Sequence, residues 1–316
     1  MKAWQFTHVN HPIELVELPE PTPRQGEVVV DIRAAGLCHS DVGMLEGELP
    51  GLPVTMPIVL GHEIAGIVAA VGSDVARYRV GDRVAVLPLP SDMQGAAGIG
   101  RNGGYAEKTV VHESFVIPIA EGLDFAQAAA GTDAGATSYR AVMTRGRVST
   151  GMRVGIIGLG GLGMTGARIA VLAGAEVYAA EPNSDVHQAA LDRGVKEVVS
   201  DIAELADRQL EVIIDFAGVS TTGAAVAAAA YGGRIVQVGA NRAKAEFMLT
   251  DLIQKELEIL GSNGMVLDDA VGVFELLNSG QLTLMTSEIA FEDIGEGLER
   301  LRRGEVRGRL VAVVSD

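Results

Sequence analysis

Gly158-Leu159-Gly160-Gly161-Leu162-Gly163 places four glycines in six residues. The stretch before it, Val154 to Ile157, is apolar in the manner of a buried strand, and the run after it, Met164 to Ala173, favours helix. A glycine-rich turn between strand and helix has a physical use. The first glycine, Gly158, permits a tight turn. The second, Gly160, lets the backbone approach a pyrophosphate, and the last, Gly163, permits close packing of helix on strand. The N-terminus of the helix that follows supplies N–H donors and a partial positive charge, and Gly161 is expected beside the cofactor with the other glycines of the turn. The alternative reading is a tight turn without a ligand.

The surroundings favour a dinucleotide. Residues 153–158, 175–181 and 211–218 read as apolar strands with helical stretches between them, and a fourth, 233–240, follows the alanine-rich run Gly223 to Tyr231. Apolar strands alternating with helices predict a parallel sheet covered on both faces. The second strand ends in Glu181, 18 residues after Gly163. A carboxylate there accepts from both ribose hydroxyls of an adenosine half and repels a 2′-phosphate. No Arg or Lys follows between Pro182 and Gln188. The pattern favours NAD over NADP.

Upstream the texture differs. Glu27–Gly36, Glu63–Gly72 and Val80–Leu89 read as short strands separated by turns, which predicts a β-rich, barrel-like domain. From Ala126 the chain becomes alanine-rich and helix-permissive. The tail from Asp268 mixes helix and strand and is expected to rejoin the first domain. The expected division is 1–134 with 263–316, and 135–262, in an α/β protein whose second domain is a doubly wound parallel sheet.

The chain has 316 residues, 48% of them hydrophobic, enough for two domains with sizeable cores. Its formal charge is −16, from 25 basic and 41 acidic residues, which repels phosphate backbones and argues against nucleic acid as a partner. Met1 to Glu17 holds no apolar leader, and no apolar run reaches membrane-spanning length. A soluble, cytoplasmic protein without a membrane partner is expected. A single cysteine, Cys38, excludes an intrachain disulfide and a four-cysteine zinc lobe.

Cys38, in Gly36–Asp41, and His62, in Gly61–Gly66, are good zinc ligands, although either alone is ordinarily a core residue. Together with Val80–Val86 (VGDRVAV), Asn102–Glu107 (NGGYAE), the glycine turn and Gly308–Val314 (GRLVAVV), they occur in an order that spans nearly the whole chain. The set resembles the zinc-dependent medium-chain alcohol dehydrogenases. The resemblance implies a GroES-like catalytic domain interrupted by a Rossmann NAD-binding domain. It implies one catalytic Zn2+, NAD, a small alcohol, aldehyde or ketone as substrate, and a homodimer or homotetramer.

By the same resemblance, Cys38 and His62 are metal ligands. The third ligand falls in Ala129–Val142, where the candidate is Asp133; the alternative is that Asp133 caps the following helix. Glu63 is implied as an outer or transient ligand. Ser40 is the implied first acceptor of the alcohol proton. Gly43 stands where a relay histidine is frequent, so water is the expected next acceptor. Leu162 and Val238 are implied behind the nicotinamide ring, and His39 and Arg309 at the pyrophosphate; the alternative for Arg309 is a surface charge. Leu49, Leu87 and Pro88 are the implied substrate-pocket residues. The stretch Leu87–Glu107 is short and cysteine-free, so no structural zinc is expected there. Two rival readings are a zinc-free enoyl or quinone reductase on the same fold, whose members lack the Cys and His ligands, and a non-catalytic nucleotide-binding relative.

Overall fold

The computed structural model describes residues 1–49, 51–218, 220–239 and 244–314. The chain forms two compact units, Met1–Asp133 with Val266–Asp316, and Ala134–Met265.

In the first unit the long strand Glu27–Leu37 organises a seven-stranded sheet. Its valines, isoleucine and alanines are buried on both faces. Glu63–Val71 pairs antiparallel on one side of it, and Arg309–Val313 and Lys108–His112 pair on the other edge, each along a different part of its length. Arg83–Val86, Val116–Pro118 and Thr286–Ala290 complete the sheet, and a three-stranded sheet of Glu14–Glu17, Lys2–Phe6 and Ile58–Val59 lies beside it in the chain's order. The tail thus rejoins the first unit as expected, with Leu310 opposite Leu37 and Val311 opposite Gly36. Phe6, Ile32, Leu37, Leu60, Ile64 and Tyr105 are among the largest fully buried side chains of its core.

The second unit is a six-stranded, wholly parallel sheet in the order Glu197–Val199, Glu176–Ala180, Arg153–Ile157, Leu210–Asp215, Ala229–Gln237, Glu258–Gly261. The strand order reverses beside Arg153–Ile157, which makes its carboxyl end the switch point where doubly wound folds bind ligands. Two boundaries differ from expectation. The helix after the glycines, Gly161–Leu172, starts inside the turn because Gly160 is its N-cap. The fourth strand starts at Ala229, within the alanine-rich run. Alanine suits helix and strand alike; pairing of Ala229 with Leu210 decides, and Gly232, at φ +69°, accompanies the register shift that follows. The expected end of that strand, Ala240, lies outside the described residues. No helix among the described residues is long and apolar enough to cross a membrane.

Candidate active site

Cys38 follows the strand Glu27–Leu37 and is the N-cap of the helix His39–Leu45. Ser40 N–H donates to Cys38 Sγ at 3.5 Å, and the Asp41 carboxylate accepts from Cys38 N–H at 3.0 Å. This is a capping box with sulfur in place of a hydroxyl. It ties the orientation of the thiol to the helix start.

Asp41 is fully buried and does more than cap. Its carboxylate accepts from the Tyr105 hydroxyl at 2.7 Å and from Gly61 N–H at 3.4 Å, and Oδ1 lies 3.3 Å from His62 Nδ1. Burial pushes the Asp41 carboxyl up, but the imidazole of His62 and these hydrogen bonds outweigh it and hold the group below the usual carboxylate range. For His62, burial works against charge, yet Asp41 and Asp133 raise its pKa well above the ordinary imidazole value. With Nδ1 against Asp41, Nε2 faces Asp133 Oδ2 at 3.6 Å. A carboxylate on one ring nitrogen, which fixes the tautomer and aims the other, is the arrangement of a metal-ligating histidine.

Asp133 lies in the π-helical turn Gly131–Gly135. Such turns insert one residue into a helix and occur mostly at functional sites. The preceding helix, Phe125–Ala130, is capped by Asp124, which accepts from Ala126 and Gln127 N–H. The helix that follows, Ala136–Tyr139, has Gly135 as its N-cap and no side-chain cap hydrogen bond, so the helix-cap alternative for Asp133 is corrected: its carboxylate faces Cys38 and His62 instead.

The three groups fit a zinc ion. Cys38 Sγ is 3.6 Å from Asp133 Oδ2, His62 Nε2 is also 3.6 Å from it, and all three ligand atoms lie within 4.8 Å of one another. Zinc bonds of about 2.3 Å to sulfur and about 2.0–2.1 Å to nitrogen or oxygen, at tetrahedral angles, separate ligand atoms by about 3.3–3.6 Å. Ser40 Oγ stands beside this set, 3.6 Å from Cys38 Sγ.

Arg309 and Glu63 close the cluster. Arg309 is buried, with 3% of its surface exposed, so the surface-charge alternative is corrected. One guanidinium nitrogen donates to Glu63 Oε1 at 2.5 Å, to Asp133 Oδ2 at 2.9 Å and to Cys38 Sγ at 3.4 Å. Burial raises the Glu63 carboxyl to about 7, against the pull of Arg309 and with the push of the Asp133 charge. Arg309, against its own desolvation, is held well above its usual value by Cys38, Glu63 and Asp133. His39 is exposed on the helix start.

At Gly43 a Cβ would lie 3.3 Å from Leu49 Cδ1, so half-buried Leu49 packs against that position. Leu87, an expected substrate-pocket residue, has no exposed surface, and its N–H donates to the Phe115 carbonyl. Pro88 beside it is buried as well.

In the second unit the three glycines have the properties the turn needs. Gly158 has φ +84°. A Cβ on Gly160 would meet nothing within 4 Å, whereas a Cβ on Gly163 would lie 1.7 Å from the Gly158 carbonyl oxygen. The turn is thus open where a pyrophosphate would approach and closed where helix meets strand. No side chain caps the helix Gly161–Leu172, whose first amides are available to an anion. Glu181 Oε2 accepts from Leu159 N–H at 2.8 Å and Oε1 from Asn183 N–H at 2.9 Å. Each carboxylate oxygen retains acceptor capacity for a diol. Leu162 and Val238 are half-buried, after the strands Arg153–Ile157 and Ala229–Gln237. These residues and the glycines are all compatible with a bound dinucleotide.

Sequence reasoning missed Asp41 and Tyr105. Asp41 carried a signal: it stands three residues after Cys38, the capping-box spacing.

Residues 24–121 match the family described as Alcohol dehydrogenase GroES-like domain, and residues 161–279 match the family described as Zinc-binding dehydrogenase. The chain is similar to an alcohol dehydrogenase of Geobacillus stearothermophilus, at 28% identity over 99% of this chain and 100% of that protein. It is 30% identical to a probable cinnamyl alcohol dehydrogenase of Eucalyptus gunnii, over 91% of this chain and 88% of that one. Among solved structures, acetophenone reductase from Geotrichum candidum in complex with NAD shares 29% identity and a TM-score of 0.88, over 100% of this chain and 97% of that one.

Proposed function

The chain belongs to the zinc-dependent medium-chain dehydrogenase/reductase family and is an alcohol dehydrogenase within it, and we propose that it transfers hydride reversibly between an alcohol and NAD with one catalytic zinc held by Cys38, His62 and Asp133. The observation that carries this reading is the convergence of Sγ, Nε2 and Oδ2 from three distant parts of the chain at ligand spacing. When bound, zinc supplies a Lewis acid that lowers the pKa of an alcohol, and NAD supplies the hydride acceptor.

The chain's own residues do the rest. Ser40 Oγ, beside Cys38 Sγ, accepts the hydroxyl proton. Asp41 keeps the His62 proton on Nδ1 and Nε2 available to metal. Asp133 replaces a thiolate at equal charge, so the site keeps its formal balance while gaining a harder ligand. Glu181 accepts from the ribose diol and disfavours a 2′-phosphate, so NAD is preferred. Leu162 and Val238 back the nicotinamide ring, a role supported by their positions at the carboxyl edge of the parallel sheet.

A homo-oligomer is part of the proposal. Glu258–Gly261 is an edge strand, and Tyr231, Met248, Leu249, Ile253 and Ile259 of the same unit are exposed. Unpaired edges and exposed apolar side chains favour self-association. A site built on one reduced thiol suits the cytoplasm.

Elemental analysis of the purified protein, paired with NADH formation on primary and secondary alcohols, tests the reading. One zinc per chain with alcohol-dependent NADH is expected. Two tightly held zincs would contradict the single site; no zinc with reductase activity on enones would favour the zinc-free reductase reading.

A further inference from the structure

Gly36 stands between two charged residues that belong to different strands. On one side it pairs with Glu63, and on the other with Val311, two residues beyond Arg309. Strands Glu63–Val71 and Arg309–Val313 flank the strand of Gly36, so their backbones lie about 9–10 Å apart, twice the strand spacing. Yet Glu63 Oε1 and the Arg309 guanidinium meet at 2.5 Å. The carboxylate therefore reaches across the middle strand. A Cβ at Gly36 would lie 1.8 Å from Glu63 Oε2 and 2.9 Å from Glu63 Cδ. Any side chain at that position would occupy the space that the carboxylate uses.

We propose that Gly36 is a positioning residue for the metal centre: its missing side chain lets Glu63 cross the strand and neutralise Arg309, which otherwise competes with metal for Asp133 and Cys38. The competition follows from the contacts. The guanidinium nitrogen that binds Glu63 is also 2.9 Å from Asp133 Oδ2 and 3.4 Å from Cys38 Sγ. With Glu63 in place, part of that positive charge is already satisfied. With Glu63 displaced, the cation turns wholly to the two anionic ligands and holds the lone pairs that metal needs. No backbone donor or polar side chain at position 36 is required, only open space.

This rests on the zinc reading above, and a double-mutant cycle separates the two. Zinc affinity is measured by competition with a chromophoric chelator for wild type, Gly36→Ala, Glu63→Ala and the double variant, together with the cobalt(II) spectrum of each. Gly36→Ala and Glu63→Ala should each weaken zinc about 10-fold or more, the scale for groups that orient or tune ligands. The double variant should be no weaker than either, and the cobalt bands of all three should shift alike. Additive losses, or a change of less than about twofold in Gly36→Ala, would overturn the proposal. Wild-type protein that binds no zinc would instead overturn the metal reading. Should Gly36→Ala not fold, Glu63→Asp replaces it, since the shorter side chain cannot span the strand. The same loss of affinity is expected there, and wild-type affinity would overturn the proposal.

Discussion

Replacing Asp41 by asparagine preserves shape and exchanges one acceptor oxygen for a donor. In the native site Oδ2 accepts from Tyr105 and from Cys38 N–H, while Oδ1 faces Gly61 N–H and His62 Nδ1. An amide oxygen satisfies the first pair, which turns the NH2 group toward the second. At Gly61 two donors then oppose each other in a fully buried position. At His62 the conflict is relieved only if the proton moves from Nδ1 to Nε2, the nitrogen aimed at Asp133 and needed by metal. One mispaired buried donor costs about 1–3 kcal/mol. In a domain of this size each kcal/mol lowers Tm by about 2–4 °C. Loss of the carboxylate that fixes the histidine should weaken zinc by about 10–100-fold. Both quantities are accessible: Tm by calorimetry with chelator present, zinc affinity by competition. An Asp41→Asn protein that loses Tm but keeps wild-type zinc affinity would refute the tautomer argument.

Zinc affinity should climb as pH rises above the ordinary imidazole range. Although burial opposes it, Asp41 holds His62 protonated well above the usual imidazole range, and metal must displace that proton; a flat profile in competition titrations would contradict this. Asp133→Asn keeps the side chain's size and removes its charge, so zinc content should fall by about tenfold or more while the circular dichroism spectrum is preserved, and full retention of zinc would remove Asp133 from the ligand set. Glu181→Ser should narrow the preference for NAD over NADP in kcat/KM by about tenfold or more by lifting charge repulsion, and an unchanged ratio would mean that Glu181 does not read the ribose.

What was legible in the sequence was mostly local. The glycine turn, its flanking strand and helix, and Glu181 are determined by near neighbours, and each lies where the pattern puts it. The candidate ligands Cys38 and His62 were legible too, and Asp133, which the structure brings within 3.6 Å of both, followed from the family resemblance. Asp41 was opaque because the capping-box pattern is written for hydroxyl residues at the cap, and because its reach to His62 appears only after the first unit has folded. Arg309 was harder still. Its partner Glu63 lies 246 residues away in the chain, and nothing in Gly304–Gly308 shows that the guanidinium turns inward.

The proposed ligand set pairs a single sulfur with a carboxylate, and Cys38 is the only cysteine in the chain. Where two thiolates share a metal, loss of the ion in air can end in a disulfide, and metal then returns only after reduction. Asp133, 3.6 Å from the Cys38 sulfur, holds the position from which a second thiol would attack, and a carboxylate forms no such bond. The chain therefore has no intrachain route to a disulfide-locked site. Protein stripped by a chelator under air, and returned to zinc without any thiol reductant, should recover its metal from zinc alone.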